Sequence, residues 1–258
     1  MLAHLHVGGQ ERLLGSYGLC LALALVLGGA LALWHASRAR LDVGATIAAL
    51  GCAALAGFAG AYSLHVVVGC LHGLPLTAAA THPGIVFYGG ALGALAGFVV
   101  AARALALPIA HTLDVITPAL PFAQALGRVG CFLGGCCYGA ASSGVLAVTY
   151  GDPLAPASHP AIARHPWPLY EAAALLVLGV LFTWLAPARR GESSAGSRGQ
   201  HFASYVVAYA LLRFALEPLR GDVVRGVLLH GAVSTSQLCA VLTLVAALLF
   251  IRARPRCT

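Results

Sequence analysis

The sequence predicts an all-α polytopic membrane protein with about seven transmembrane helices, and two observations carry that prediction. Of 258 residues, 60% are apolar and only 9% are charged, against about 25% charged in an ordinary soluble domain. That leaves too little polar surface to wet a globule of this size, and too little charge to keep an unfolded chain solvated. A soluble enzyme and a disordered chain are both excluded. The apolar residues also gather into runs of span length, about 20 residues being needed to cross the hydrocarbon as a helix.

The runs fall at 13–34, 44–70, 84–107, 113–135, 167–187, 202–220 and 233–251. The first is longer than the apolar region of a signal peptide and is read as a span. Gly57 and Gly60 lie in the second. In the third, Gly89, Gly93 and Gly97 form a small-residue stripe that lets helices pack closely. Pro118, Pro121 and several glycines interrupt the fourth run. A broken helix at membrane depth is tolerated only where it is buried in protein or lines a cavity, which marks this run as the functional one. No internal repeat is seen, and residues 1–258 are read as a single integral membrane domain.

All 15 basic residues are arginine. They are scattered singly or in pairs, so the formal charge of +7 reads as topology and headgroup contact, and no nucleic-acid partner is expected. Arg38, Arg40, Arg103, Arg189, Arg190, Arg198, Arg252, Arg254 and Arg256 fall on one side of the seven-span plan. Arg12, Arg164, Arg220 and Arg225 fall on the other. The side richer in arginine is the cytoplasmic one. The N-terminus is therefore expected outside, the C-terminus inside, and the long 140–166 loop outside.

Arg128, Arg213, Glu171 and Glu217 fall within or at the edge of spans. A charged side chain at bilayer depth costs about 2.5–3.5 kcal/mol on insertion scales, so such residues face a protein interior or a wet cavity. Arg213 and Glu217 are four apart and share a helical face, and Arg220 follows three later. Arg128 has no acid at helical spacing, so its partner must come from another segment or from a ligand. A planar guanidinium fork suits a phosphate. His65, His72, His82 and His111 sit near span ends and read as interfacial. His165 opens His165-Pro166-Trp167-Pro168-Leu169-Tyr170-Glu171, where Trp167 and Tyr170 suit a membrane interface.

Four of the eight cysteines, Cys20, Cys52, Cys70 and Cys239, lie in apolar runs and read as small hydrophobes. Cys131, Cys136 and Cys137 cluster without the C-x-x-C spacing of zinc or redox motifs. On a continuous helix Cys131 and Cys136 lie on opposite sides; a break at Gly134-Gly135 would bring them together. Small-residue packing is the leading reading. A disulfide or redox pair and a metal site stay open, which makes a thiol-redox or metal-handling membrane protein the alternative function.

The stretch Gly127-Arg128-Val129-Gly130-Cys131-Phe132-Leu133-Gly134-Gly135-Cys136-Cys137-Tyr138-Gly139 resembles the signature of the prolipoprotein diacylglyceryl transferases, G-R-x-G-N-F-x-N-G-E-x-x-G. Further motifs follow in that family's order. Tyr17-Gly18-Leu19 resembles Y-G-L. Phe87-Tyr88-Gly89-Gly90 is similar to F-H-G-G, and His165 through Glu171 is similar to H-P-x-x-L-Y-E. Arg213 through Arg220 resembles R-x-x-x-E-x-x-R, and Ser236-Gln237-Leu238 resembles G-Q-[IL]. The departures are Tyr88 for a histidine, Cys131 and Gly134 for two asparagines, Cys136 for an acid, and Ala59 for a second-span arginine.

The resemblance implies transfer of a diacylglyceryl group from phosphatidylglycerol to the lipobox cysteine thiol of a prolipoprotein, in a bacterial cell membrane and without a cofactor or metal. The implied catalytic residues are Arg128, Arg213, Glu217, Tyr88 and His165. The implied substrate contacts are Tyr17, Gly89, Gly90, Gly130, Cys131, Gly139, Glu171 and Arg220. Arg128 and Arg213 are the candidates for the phosphate, with Glu217 orienting Arg213. A non-catalytic lipid-binding relative is a further reading. The expected partners are phosphatidylglycerol, a prolipoprotein precursor peptide and membrane lipid. The arginine asymmetry yields a direct test: a reporter fused after Thr258 is expected to be active only in its cytoplasmic form.

Overall fold

The computed structural model describes residues 4–5, 14–71, 73–81, 86–151, 157, 162–186, 199–221, 227–228 and 233–252. The described residues form nine α-helices: α1 Ser16–Arg38, α2 Val43–Leu71, α3 Leu76–Thr81, α4 Phe87–Ala104, α5 Ile109–Ile116, α6 Ala119–Leu133, α7 Trp167–Trp184, α8 Gln200–Leu216 and α9 Thr235–Arg252. Among the described residues the strands are two-residue antiparallel pairs, β1 His4–Leu5 with β2 Leu14–Gly15 and β3 Val227–Leu228 with β4 Val233–Ser234, besides isolated bridges such as Gly139 with Arg220. Of the residues used above for orientation and interface, Arg12, Arg189, Arg190, Arg198, Arg225, Arg254, Arg256, His72 and His82 lie outside the described set.

Five helices are long and apolar enough to cross a membrane: α1, α2, α4, α7, and α8 with its extension to Leu219. They coincide with the first, second, third, fifth and sixth predicted runs. Their outer faces expose large apolar side chains, among them Leu55, Leu92, Val100, Val177 and Trp184, as a lipid solvent requires. The fourth run is two helices. Pro118 and Pro121 have no backbone N–H to continue the ladder, and the chain turns at Thr117–Pro118 between α5 and α6. The 15 residues of α6 rise only about 22 Å, less than the ~30 Å hydrocarbon thickness. The sixth run stops being α-helical at Leu216 for the same reason: Pro218 sits in a 3-10 turn, Glu217–Leu219, that follows α8.

The chain divides into two compact units, residues 33–112 and the remainder. In the 33–112 unit α2 and α4 pack along their glycines. A Cβ at Gly60 would collide with the Gly89 carbonyl, and one at Gly93 with the Ala56 carbonyl. With no side chain between them the two backbones approach closely, which is the form of attraction open to helices in lipid. Tyr62 closes α3 onto α2, its hydroxyl donating to the Ala80 carbonyl at 2.8 Å.

In the other unit α6 packs on α7, α7 on α8, and α8 on α9. The N-terminal part of α1 lies against α6, with Gly28 facing Ala123. A buried carboxylate organises the start of α8. Asp114 accepts the Gly199 N–H through Oδ2 and the Phe202 N–H through Oδ1, both at 2.9 Å. These are two of the donors a helix leaves open at its N-terminus, where negative charge is favoured.

The α2–α4 contact supplies a test with an internal control. Gly60→Ala overpacks the seam and is expected to destabilise by about 1–3 kcal/mol, read as a lower unfolding midpoint in detergent. Gly51, on the same helix, has open space where a Cβ would go. Gly51→Ala is expected to be neutral or slightly stabilising.

Candidate active site

Three cationic side chains from α6, α8 and the segment after α8 gather on one indole. The guanidinium carbons of Arg128, Arg213 and Arg220 lie 5.6, 4.8 and 5.1 Å from the centre of the Trp167 ring, within the ~6 Å reach of cation–π attraction. Trp167 is fully buried and its Nε1 donates to the Leu216 carbonyl at 2.8 Å. It is therefore a platform inside the protein, and the interfacial position expected for it is corrected. The reason is local. Pro166 and Pro168 fix the entry to α7 and place Trp167 in the first turn, facing inward.

The counterion of Arg128 is Glu171, one turn further along α7. Arg128 Nε lies 2.9 Å from Glu171 Oε2, and Arg213 Nη1 lies 3.8 Å from the same oxygen. Tyr209 donates its hydroxyl to Glu171 Oε1 at 3.1 Å. Arg213 Nη2 reaches Glu217 Oε2 at 3.4 Å, the i,i+4 pair the spacing predicts. Glu171 is wholly inaccessible and Arg213 and Glu217 nearly so. Arg213 Nη1 and Glu217 Oε1 are buried without a hydrogen-bond partner. Arg128 and Arg213 thus meet the Glu171 and Glu217 carboxylates, and Arg220 joins them at the Trp167 ring.

Arg220 reaches the ring by a different route from the one helical spacing suggests. With α8 ended at Leu216, Arg220 is extended and pairs across to Gly139, and the Gly221 N–H donates to the Tyr138 carbonyl at 3.0 Å. Gly139 has no room for a side chain, since a Cβ would strike the His165 carbonyl and lie 3.0 Å from that of Leu219. His165 flanks this crossing. Its Nδ1 is 3.2 Å from the Tyr170 hydroxyl.

The end of α6 brings the thiols together. Gly134 is the C-cap and Gly135 is left-handed at φ 64°. The Cys136 N–H donates to the Cys131 carbonyl at 3.0 Å and the Gly135 N–H to that of Phe132 at 3.2 Å, the pair of bonds that defines a Schellman turn. This turn folds Cys136 back over Cys131. Cys137 follows with φ 53°, a left-handed conformation that costs a residue with a Cβ roughly 1–2 kcal/mol. The three sulfurs lie within 4.8 Å of one another. Hydrogen bonds from the Cys131 and Cys136 thiols, together with the Arg128 and Arg220 charges, hold the Cys137 thiol below the usual range against the opposing effect of burial. Gly130, one residue before Cys131, faces Tyr17 and Cys20 of α1.

Arg128, Arg213, Arg220, Glu171 and Glu217 thus share one cluster, with Gly130, Cys131, Gly139, Tyr17 and His165 in the same unit. Tyr88, Gly89 and Gly90 begin α4 in the 33–112 unit. Gly89 there packs on the backbone of Gly60 in α2. Sequence reasoning missed Tyr209 and the platform role of Trp167. The signal for Tyr209 was present: Tyr205, Tyr209, Arg213 and Glu217 recur every four residues as a polar stripe along an apolar helix.

Comparison with known proteins gives the family. The family described as prolipoprotein diacylglyceryl transferase matches residues 10–253. The chain belongs to this family. A phosphatidylglycerol–prolipoprotein diacylglyceryl transferase 2 of Clostridium perfringens is 30% identical over 167 residues, 64% of this chain and 60% of the relative. The Clostridium tetani transferase is 31% identical over 163 residues, 63% and 61% of the two chains. One from Dehalococcoides mccartyi is 30% identical over 202 residues, 78% and 75%. The chain thus spans about three fifths of the length of the clostridial relatives. Within the transferase signature, Arg128, Gly130 and Gly139 keep their residue types while thiols stand at 131 and 136.

The shared carboxylate predicts an asymmetric response to mutation. Glu171→Gln leaves two buried guanidiniums without their common anion and is expected to destabilise by about 3–5 kcal/mol. Adding Arg128→Gln should recover part of that loss, because it removes one of the uncompensated charges. Unfolding of the two single variants and the double variant in detergent measures the coupling directly.

Proposed function

We propose that this chain transfers a diacylglyceryl group from phosphatidylglycerol to the cysteine thiol of a prolipoprotein lipobox. One observation carries the proposal: Arg128 and Arg213 converge on one carboxylate oxygen, over a buried indole that also holds Arg220. Membership of the transferase family supports the reaction class. Clustered guanidiniums, with Arg213 Nη1 making no hydrogen bond, suit an oxyanion. Placed in a dry site, such donors need no rearrangement as negative charge develops.

In this reading the acceptor sulfur attacks the terminal glyceryl carbon. The carbon–oxygen bond breaks, its electron pair goes to the phosphate oxygen, and glycerol phosphate leaves. Arg128 and Arg213 stabilise the growing charge on that phosphate, and Glu217 orients Arg213. Tyr17, Gly130, Cys131, Gly139, Glu171 and Arg220 shape the headgroup site within their own unit. His165 is the candidate in this unit to take the thiol proton. The two acyl chains stay in lipid, beside the apolar faces of the helices. The α5–α6 segment and α9 complete seven crossings, with the N-terminus outside and the C-terminus in the cytoplasm of a bacterial cell.

The test is thioether formation on a lipobox peptide with labelled phosphatidylglycerol, backed by rescue of a strain depleted of its own transferase. Arg213→Lys keeps the charge and replaces a planar fork with a point. It is expected to lower the rate by about 10²–10³, the cost of one preorganised donor. Near-full activity in that variant, at matched expression, would remove the phosphate-binding role.

A further inference from the structure

The reaction proposed above needs a thiolate, and a free thiol has a pKa of about 8.5. Near the guanidiniums the described acids are already engaged. Glu171 is held by Arg128, Arg213 and Tyr209, and Glu217 by Arg213. His165 is bonded to Tyr170. Three thiols stand beside them instead. Cys131 follows Arg128 by one helical turn on α6, and Cys137 lies two residues before Gly139, which pairs with Arg220.

The geometry points to a thiophilic divalent cation of the zinc class bound by Cys131, Cys136 and Cys137, with its fourth position open to the acceptor thiol. Two independent features support this. The Schellman turn and the left-handed Cys137 together aim three sulfurs at one point, within 4.8 Å of one another. A tetrahedral ion with bonds of ~2.3 Å needs sulfurs roughly 3.8 Å apart, so closure takes about 1 Å of side-chain movement. The burial is graded to match, with Cys131 buried and Cys136 and Cys137 partly open. Three protein ligands and one open position are what separate a catalytic zinc from a structural one.

A thiol that coordinates the ion loses its proton outright, and that proton passes to water. The metal-bound sulfur then supplies the electron pair for the new carbon–sulfur bond. The carbon–oxygen bond breaks toward phosphate as before, and the thioether product leaves the ion. No electron is gained or lost by the metal, since zinc has no redox chemistry.

This inference rests on the transferase reading, and its test separates the two. The full chain is purified under reducing conditions, loaded with zinc or cobalt(II), and assayed for metal content, free thiols and cobalt absorption. The expected result is one metal per chain and a tetrahedral thiolate–cobalt spectrum. A lipobox peptide shifts that spectrum, and the same peptide with serine for cysteine does not. Losing a partner outside the ligand set already costs 10–100-fold in affinity, so Cys131→Ser, Cys136→Ser and Cys137→Ser should each weaken zinc binding by more than about tenfold. Cys52→Ser, on the exposed face of α2, should leave it unchanged, and matched unfolding midpoints exclude misfolding. The inference is overturned by sub-stoichiometric metal with all thiols free, by a disulfide within the trio, or by a cobalt spectrum indifferent to the peptide thiol. Full transfer by chelated, metal-free protein overturns it as well. If the spectrum answers to the peptide thiol but no thioether forms, the metal site stands and the transferase reading falls.

Discussion

The buried carboxylate of Glu171 is the constraint on which the site depends. A buried carboxylate needs partners around it. Here two guanidiniums and a phenol surround it, so it ties α6, α7 and α8 together. Each of those helices must therefore keep its rotation to within a hydrogen-bond length. The arrangement does not maximise stability, since a buried ion pair often breaks even against well-packed apolar residues. It maximises orientation. Trp167 adds a flat face under three guanidiniums and removes the freedom of their long side chains.

Much of this was legible in the residues, and the limits are physical. Arg128 and Arg213 declare themselves because arginine inside an apolar run is expensive. The Arg213–Glu217 pair follows from helical spacing alone. The statement that Arg128 needs a partner from another segment was also available, but naming Glu171 was not, because spacing within a helix says nothing about which helix faces it. Trp167 was misread because an aromatic near a span end has two homes, the headgroup layer and the interior. Only packing separates them. Proline read well in the fourth run, where the break before α6 sits at Pro118; in the sixth run Pro218 was passed over, and the helix expected to reach residue 220 ends at Leu216.

Arg220 shows how a correct grouping can arise by a different geometry. A continued helix would have carried it past the site along α8. Pro218 ends that helix, the chain becomes extended, and pairing with Gly139 brings Arg220 back to the Trp167 ring. The glycine is required because two carbonyls occupy the space of its Cβ. In this chain the stretch from Arg213 to Arg220 is therefore a helix end followed by an extended return, and Gly139 is the partner of Arg220.

The same reasoning explains why substitution at 131 and 136 changes chemistry without disturbing the fold. In a Schellman turn these are the residues whose backbone groups bond to each other, and their side chains meet whatever they are. An amide and an acid placed there form a polar pair; two thiols form a soft one. The turn itself needs only glycine at 135, where φ is positive. The arginines are anchored elsewhere, by Glu171 and Trp167. What does not follow from the turn is Cys137, a third thiol in a backbone conformation that disfavours side chains. Packing alone gives no reason to place a cysteine at a strained position facing two others. A requirement for three sulfurs at one point does.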